Sequence, residues 1–248
     1  MTTAETTSVT ATPTDDNREW LVGILPKNAH QRHHHHLPLR GRGGGALMLL
    51  CDRDLKLAVD GGWLGVHPYE PELVQPSSID VRLDEQLLAW PPGDTAIDPS
   101  RPQKMLSVTM REEDHYLLRP GRMVLGSTME RITVADDLAC RVEGKSSLGR
   151  LGLAVHVTAG FIDPGFDGHV TLEIVNHAPR AIVLRPGMRI GQLCVFELSG
   201  KAERPYGADG VGHYQGQRGP TPSRSHIGWR TWPTAPAPAP AAKVTGRD

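Results

Sequence analysis

GKSSLGRLGLAVHVTAGFIDPGFDGHVTLEIVN, running from Gly144 to Asn176, gathers three kinds of chemistry into one stretch. Its last part alternates. Val170, Leu172 and Ile174 fall on one face of an extended chain, and Thr171, Glu173 and Val175 on the other. That pattern reads as a β-strand. A lone ionised carboxylate is costly to bury in the middle of such a strand. Glu173 therefore has a partner, faces water from a half-exposed strand, or lines a pocket.

The first part, Gly144 to Arg150, mixes small residues, hydroxyls and cations. Small residues let a backbone approach a ligand closely. Ser146 and Ser147 can donate hydrogen bonds, and Lys145 and Arg150 can pair with phosphate oxygens. The run Gly144-Lys145-Ser146 looks like the end of a Walker loop, but the earlier glycine of that motif would fall at Ala139, so the motif fails. A basic turn without a ligand is the alternative. Between these parts, Asp163-Pro164-Gly165 is a strong turn signal. Bonding its own turn backbone would by itself explain Asp163.

Outward from this stretch the sequence reads as short strands and tight turns. Residues 112–144 give strand, the turn Arg119-Pro120-Gly121-Arg122, strand, the turn Asp136-Asp137, and strand again. Residues 177–198 repeat the pattern with turns at Ala178-Pro179 and Arg185-Pro186-Gly187. Turns at this spacing predict an all-β sandwich or barrel. Upstream, Asp52 to Asp60 is a short helix, with Leu55, Ala58 and Val59 on one side and Gly61-Gly62 as its stop. Ser77 to Trp90 begins as a strand, with Ile79, Val81 and Leu83 alternating against a polar face of Ser78, Asp80 and Arg82. An Asp80–Arg82 pair on an outer face is the simplest reading of that side, and Asp80 is given a structural role. Pro91 to Pro102 is a loop.

The ends differ in composition. Residues 1–47 are Thr-rich, then His-rich (His33 to His36), then Gly-rich (Gly41 to Gly45), and are expected to be a disordered leader. Residues 48–230 form the expected folded domain. Within it, the polar, Gly-rich residues 201–230, with Tyr206, Tyr214 and Gln217, are expected to act as a mobile lid, a simple surface loop being the alternative. Residues 231–248 are a Pro/Ala-rich tail.

Composition excludes several classes. A net charge of −1 gives no bulk drive toward nucleic acid or membrane, and 5% aromatic residues offer few stacking platforms. No apolar run approaches a membrane span. Cys51, Cys140 and Cys194 are odd in number and far apart, which fits a reducing cytoplasm rather than a disulfide framework. They also fail to supply the H-x-E and P-C-x-x-C segments that zinc-dependent deaminases need.

Taken in order, four segments resemble the motifs of the dCTP deaminase and dUTPase superfamily. The Ser-rich segment Gly144 to Arg150 resembles its second motif, and HVTAGFIDPGFDGHVTLE (His156 to Glu173) its third. RIGQL (Arg189 to Leu193) resembles the fourth, and GQRGPTPSR (Gly216 to Arg224) the closing segment. The resemblance begins near Met48, which carries the further expectation that the leader arises from an upstream start. It implies a distorted jelly-roll, or β-clip, dUTPase-like barrel with a few short helices, assembled as a homotrimer with sites shared between subunits.

The resemblance also implies roles. Glu173 aligns with the catalytic carboxylate. One carboxylate can serve as base and then acid in water attack at C4 of cytosine, provided a partly apolar pocket supports both protonation states. Ser146 and Arg150 align with residues holding the attacking water and the base. Lys145, Ser146, Ser147, Leu148, Gly149 and Arg150 contact the triphosphate, with Mg²⁺ bound through the substrate phosphates. Thr171, Leu172 and Glu173 read the base edge. Asp163 binds the sugar 3′-hydroxyl or activates water for attack at phosphorus, and Gln192, Tyr206 and Gln217 reach sugar and phosphates. Members that only deaminate resemble TAHR-I-D where this chain has Thr158-Ala159-Gly160-Phe161. Gly160 and Phe161 thus imply the bifunctional type, which turns dCTP into dUMP and diphosphate, with dTTP as inhibitor. His213 stands where close relatives often show Lys, a weaker phosphate partner in the lid. The competing readings are a deaminase that stops at dUTP, a dUTPase, and a nucleotide-binding β-module without catalysis.

Overall fold

The structure is a computed structural model and describes residues 48–111, 113–210 and 212–228; the leader and the Pro/Ala-rich tail lie outside the described residues. The described chain is mostly β, with two short helices. Among the described residues no helix is long and apolar enough to cross a membrane.

The chain opens on β1 (Met48–Leu49) and then α1 (Asp52–Asp60), with the bounds the periodicity predicts. Leu55 and Ala58 are buried on one side of α1, and Asp52 and Asp54 sit in its first turn, where negative charge suits the helix dipole. Strands β2 (Leu64–His67), β3 (Val74–Gln75), β4 (Ser78–Arg82), β5 (Gln86–Ala89) and β6 (Leu106–Thr109) follow. Next come β7 (Tyr116–Leu118), the long β8 (Met123–Val134), β9 (Leu138–Gly144), α2 (Ser146–Gly149), β10 (Leu153–Ala154) and β11 (Phe161–Ile162). The chain then forms β12 (Asp167–Asn176), β13 (Ile182–Leu184) and β14 (Arg189–Glu197).

These make two six-stranded sheets. The first runs β11-β9-β14-β4-β3, with β1 also on β14; the second runs β10-β12-β8-β5-β6, with β2 also on β8. Ile79, Val81, Cys140, Val142, Leu193 and Val195 of the first sheet are buried, as are Leu87, Val124, Ile132, Leu172 and Ile174 of the second. Burial of these alternating side chains is the main force holding strands this short. The core packs tightly against Gly126 of β8: a Cβ there would lie 2.8 Å from Leu83 Cδ1 and 2.9 Å from Ile174 Cδ1.

The two Arg-Pro-Gly turns have a structural counterpart. The strands entering them, β7 and β13, pair with each other as a separate ribbon, Leu118 opposite Ile182 and Tyr116 opposite Leu184. Gly121 and Gly187, at φ +68° and +74°, then turn the chain into β8 and β14.

Two readings of the alternation need correction. Ser78 and Asp80 are 4% and 1% exposed, so that side of β4 is polar but not an outer face. No Asp80–Arg82 pair forms; Arg82 pairs with Glu130 and Glu70, and Asp80 with Lys145 and Arg189. In β12 the register against β8 shifts between His169 and Thr171. The extra residues lie in β8, where Ser127 to Arg131 spans four steps against two in β12, and Val170 opposite them is half-buried and lines a cavity wall with Thr171 and Glu173.

Candidate active site

β12 carries the site because its two faces are unlike. Leu172 and Ile174 go into the core, 1% and 0% exposed, while Thr171 and Glu173 stay half-buried on the other side. There they line a cavity of about 490 Å³. Its floor is largely apolar, with Met105, Met123, Leu125, Ile162 and Phe166. The size and mixed lining suit a nucleobase with its sugar.

Of the three options open to Glu173, two hold together: it lines this cavity, and its Oε2 accepts the main-chain N–H of Val157 at 2.9 Å. Asp163 reaches the same cavity from the β11–β12 turn. The turn closes without its side chain, through Phe166 N–H to Asp163 O and Gly165 N–H to Val134 O. The Asp163 carboxylate makes no hydrogen bond or ion pair among the described residues, so its oxygens are free for a ligand.

Gly160 and Phe161 flank this turn. Val142 N–H donates to Gly160 O at 2.8 Å, and a Cβ on Gly160 would come within 2.8 Å of Val142 O. Only glycine lets the segment lie this close to β9. Phe161 is 66% exposed, lines the cavity and carries the Arg141 guanidinium 5.7 Å above its ring.

Residues 201–228 fold back along β12 and roof the cavity with Tyr206, Tyr214, Gln217, Thr221 and Ser223. Main-chain bonds fix them: Gly216 N–H to Asp167 O at 2.7 Å, His169 N–H to Gln217 O at 3.0 Å, and Tyr206 N–H to Pro164 O at 2.7 Å. Thr221 N–H donates to Thr171 Oγ1, and Gln217 Nε2 to His169 O. The Tyr206 hydroxyl accepts from Tyr214 N–H, while its ring meets Phe166 edge-on at 5.7 Å. Gln217 Oε1 is buried without a partner among the described residues, an acceptor left over at the cavity wall. His213 is exposed, its carbonyl accepting from Arg224, and it is not part of the cavity wall.

The segment expected to contact phosphate, Lys145 to Arg150, lies apart from this cavity. α2 follows directly on β9, and Ser146, Ser147, Gly149 and Arg150 are exposed. None of the residues Lys145 to Arg150 lines the cavity, and neither does Gln192. Gln192 instead joins this second group, donating to Gly144 O and accepting from Ser78 Oγ at 3.2 Å. The structure thus brings Asp163, Thr171, Glu173, Tyr206, Gln217 and Phe161 together, and separately gathers Lys145, Gln192 and α2. The Leu172 side chain joins neither, being a core residue that leaves only backbone to offer.

Sequence reasoning missed Trp90, Gln103 and Met105, which reach the cavity from either end of the loop joining β5 and β6. Nothing in a Pro-rich loop marks which residue turns inward. A larger hollow of about 890 Å³ shares Trp90, Gln103 and Met123 with this cavity, but holds none of the catalytic or substrate-binding candidates named from the sequence.

A family model described as dCTP deaminase-like matches residues 49–198. A "dCTP deaminase, dUMP-forming" of Salinispora tropica is 58% identical over 191 residues, covering 75% of this chain and 100% of its own. A protein of that description from Mycobacterium avium is 57% identical over 183 residues, covering 72% of this chain and 96% of its own. Among solved structures, a 2′-deoxycytidine 5′-triphosphate deaminase from Agrobacterium tumefaciens overlaps 61% of this chain and 48% of its own, at 24% identity and a TM-score of 0.48. The chain belongs to the dCTP deaminase-like family.

Proposed function

We propose that this protein converts dCTP to dUMP, ammonia and diphosphate. The observation that carries the reading is the placement of Glu173 and the unpartnered Asp163 on one partly apolar cavity, beneath a roof that includes Gln217. The relatives that match it over nearly their whole length are described as dUMP-forming dCTP deaminases.

The cytosine sits against β12, with Thr171 and Glu173 toward its edge. Glu173 takes a proton from water as the oxygen attacks C4, then delivers it to N3. The proton of the new C4 hydroxyl then passes to the amine, the C4–N bond breaks, and ammonia leaves as the carbonyl forms. The Val157 N–H that holds Glu173 Oε2 keeps the carboxylate aimed while it gives and takes these protons. In the second half, water attacks the α-phosphorus, the bond to the bridging oxygen breaks, and diphosphate departs. Asp163 binds the 3′-hydroxyl or takes the proton of this water. Gly160 and Phe161 shape the turn that presents it. Mg²⁺, if bound through the triphosphate oxygens, would offset their charge. Gln192, Tyr206 and Gln217 reach sugar and phosphates.

Ser146 and Arg150 belong to this mechanism as holders of the water and of the developing charge, with Lys145 to Arg150 contacting the phosphates. They do not line the cavity of their own chain, so a complete site needs a second copy. We place the copies in a homotrimer with a β-clip, dUTPase-like subunit. Leu151, Val157 and Phe161, 61%, 56% and 66% exposed, are apolar surface that such an interface would cover. dTTP shares the deoxyribose and triphosphate and acts as an inhibitor, and the cytoplasm supplies the substrate.

Incubation with dCTP and separation of products tests the reading. Equal amounts of dUMP, diphosphate and ammonia are expected. Accumulating dUTP would make the enzyme a deaminase alone, and unreacted dCTP would overturn the assignment.

A further inference from the structure

Asp80 is 1% exposed, and both its oxygens face cations. Lys145 Nζ lies 2.5 Å from Oδ1, and Arg189 Nη1 3.5 Å from Oδ2. One carboxylate between two cations leaves a positive charge in excess. The Arg189 side chain is half exposed and that of Lys145 about one-fifth exposed, so both remain open to a ligand while tethered from behind.

The register of β14 explains how Arg189 reaches this point. Gln192 stands opposite Asp80 and Arg189 opposite Arg82, so four residues of β14, Arg189 to Gln192, span three of β4. The extra residue is a bulge between Arg189 and Gly191. Without it, Arg189 and Gln192, three positions apart, would face opposite sides of the sheet. With it, both lie on the side of Asp80. Gln192 then bridges Ser78 Oγ and Gly144 O, next to Lys145. Asp80, Arg189, Gln192 and Lys145, from two strands and a turn, converge at the start of the exposed Ser146–Arg150 segment.

A carboxylate this buried is costly unless its partners stay fixed. A lysine on a free stem must be ordered when it meets phosphate; one already held loses less on binding. We propose that Asp80 is a positioning residue that sets Lys145 and Arg189 as a paired cationic seat for an oligophosphate, with Arg189 a further phosphate-binding residue. The inference rests on the proposed function only in identifying that oligophosphate as the tail of dCTP.

Calorimetric titration of inorganic tripolyphosphate into the full chain reads the seat without any deamination. Arg189→Met, at a half-exposed position, is expected to weaken binding roughly tenfold, with Arg189→Lys restoring most of it. Asp80→Asn is expected to weaken binding by a similar factor, and Asp80→Asn with Arg189→Met together by little more than either alone, because the two act through one arrangement. With dCTP, both variants raise KM and change kcat by less than about threefold. Tripolyphosphate affinity unchanged in Arg189→Met, or effects in the double variant that multiply, would overturn the proposal. If Asp80→Asn melts too early to titrate, Arg189→Met decides alone. A wild-type chain that binds tripolyphosphate but leaves dCTP intact would strike the proposed function and not the seat.

Discussion

The main-chain N–H of Val157 donates to Oε2 of Glu173 at 2.9 Å, joining the segment after β10 to the middle of β12. Within the described residues this is the one hydrogen bond given to the Glu173 side chain, so its remaining acceptor capacity points at the cavity it lines. A carboxylate held on one side by backbone and open on the other suits a group that must both take and give protons.

Glu173→Gln keeps the size and can still accept from Val157, but it cannot carry a proton between water and N3. Deamination is expected to fall by about a hundredfold or more, with dCTP binding retained. Single-turnover assays beside calorimetric titration of dCTP separate the two. Turnover near wild type would remove Glu173 from the mechanism.

Gly160 tests the second half-reaction. A Cβ there would meet Val142 O at 2.8 Å, and a backbone oxygen in a sheet cannot step aside cheaply. Gly160→Ala is expected to cost about 1–3 kcal/mol of stability by urea unfolding. It should also displace the turn that carries Asp163, so that dUTP accumulates during dCTP turnover. A stable variant yielding only dUMP would show that the close approach to β9 does not set the outcome.

Much of this arrangement was legible in the sequence because it depends on local pattern. The helix at Asp52–Asp60, the strand around Glu173 and the turn at Asp163 each follow from periodicity or turn chemistry. What stayed hidden depends on register. The single extra residue before Gly191 changes which side chains share a face, the irregularity of β8 opposite Val170 interrupts the pairing there, and no residue type announces either. Asp80 read as half of a pair with Arg82 because the two are neighbours on one face. Its actual partners come from residues 65 and 109 positions away, a distance only the folded sheet closes. The division of the site into two groups is invisible for the same reason.

Arg82 and Glu130 form the most enclosed ion pair of the chain's described part. Glu130 is 0% exposed and accepts from Arg82 Nε at 2.7 Å and from its main-chain N–H at 2.9 Å. Glu130→Ala leaves the guanidinium only the half-exposed Glu70 and takes the acceptor from the Arg82 main-chain N–H, and a loss of about 3 kcal/mol is expected by urea unfolding. Arg53→Ala, at a largely exposed position, breaks its pair with Asp54 and is expected to cost less than about 1 kcal/mol. Equal costs would contradict the burial argument.

Cys140 gives a pH dependence with a definite sign. Full burial pushes its thiol well above the ordinary value of 9.0, with Cys194 nearby adding to the shift. The folded chain therefore keeps the proton after the unfolded chain has lost it. Stability attributable to this residue is whole below pH 9.0 and declines above it. The expected slope is about 1.4 kcal/mol per pH unit. Urea unfolding at increasing pH should show the wild type losing stability faster than Cys140→Ala above that point, and parallel curves would refute it. Below it, alkylation should leave Cys140 unmodified in the folded chain, since the thiolate is the reactive form.

The Tyr206 side chain makes two of the contacts that hold the roof over the cavity. Its ring packs edge-on against Phe166, and its hydroxyl accepts from Tyr214 N–H at 2.9 Å. Tyr206→Phe removes only the second contact, leaving a backbone donor to find water. Tyr206→Ala removes both and uncovers the cavity beside Asp163. KM for dCTP is expected to rise a few-fold in the first and by about tenfold in the second. Trypsin cleavage at Arg218 and Arg224 should accelerate in the same order, because a lifted segment exposes its backbone. Faster cleavage without a change in KM would mean that residues 201–228 pack on β12 but take no part in holding substrate.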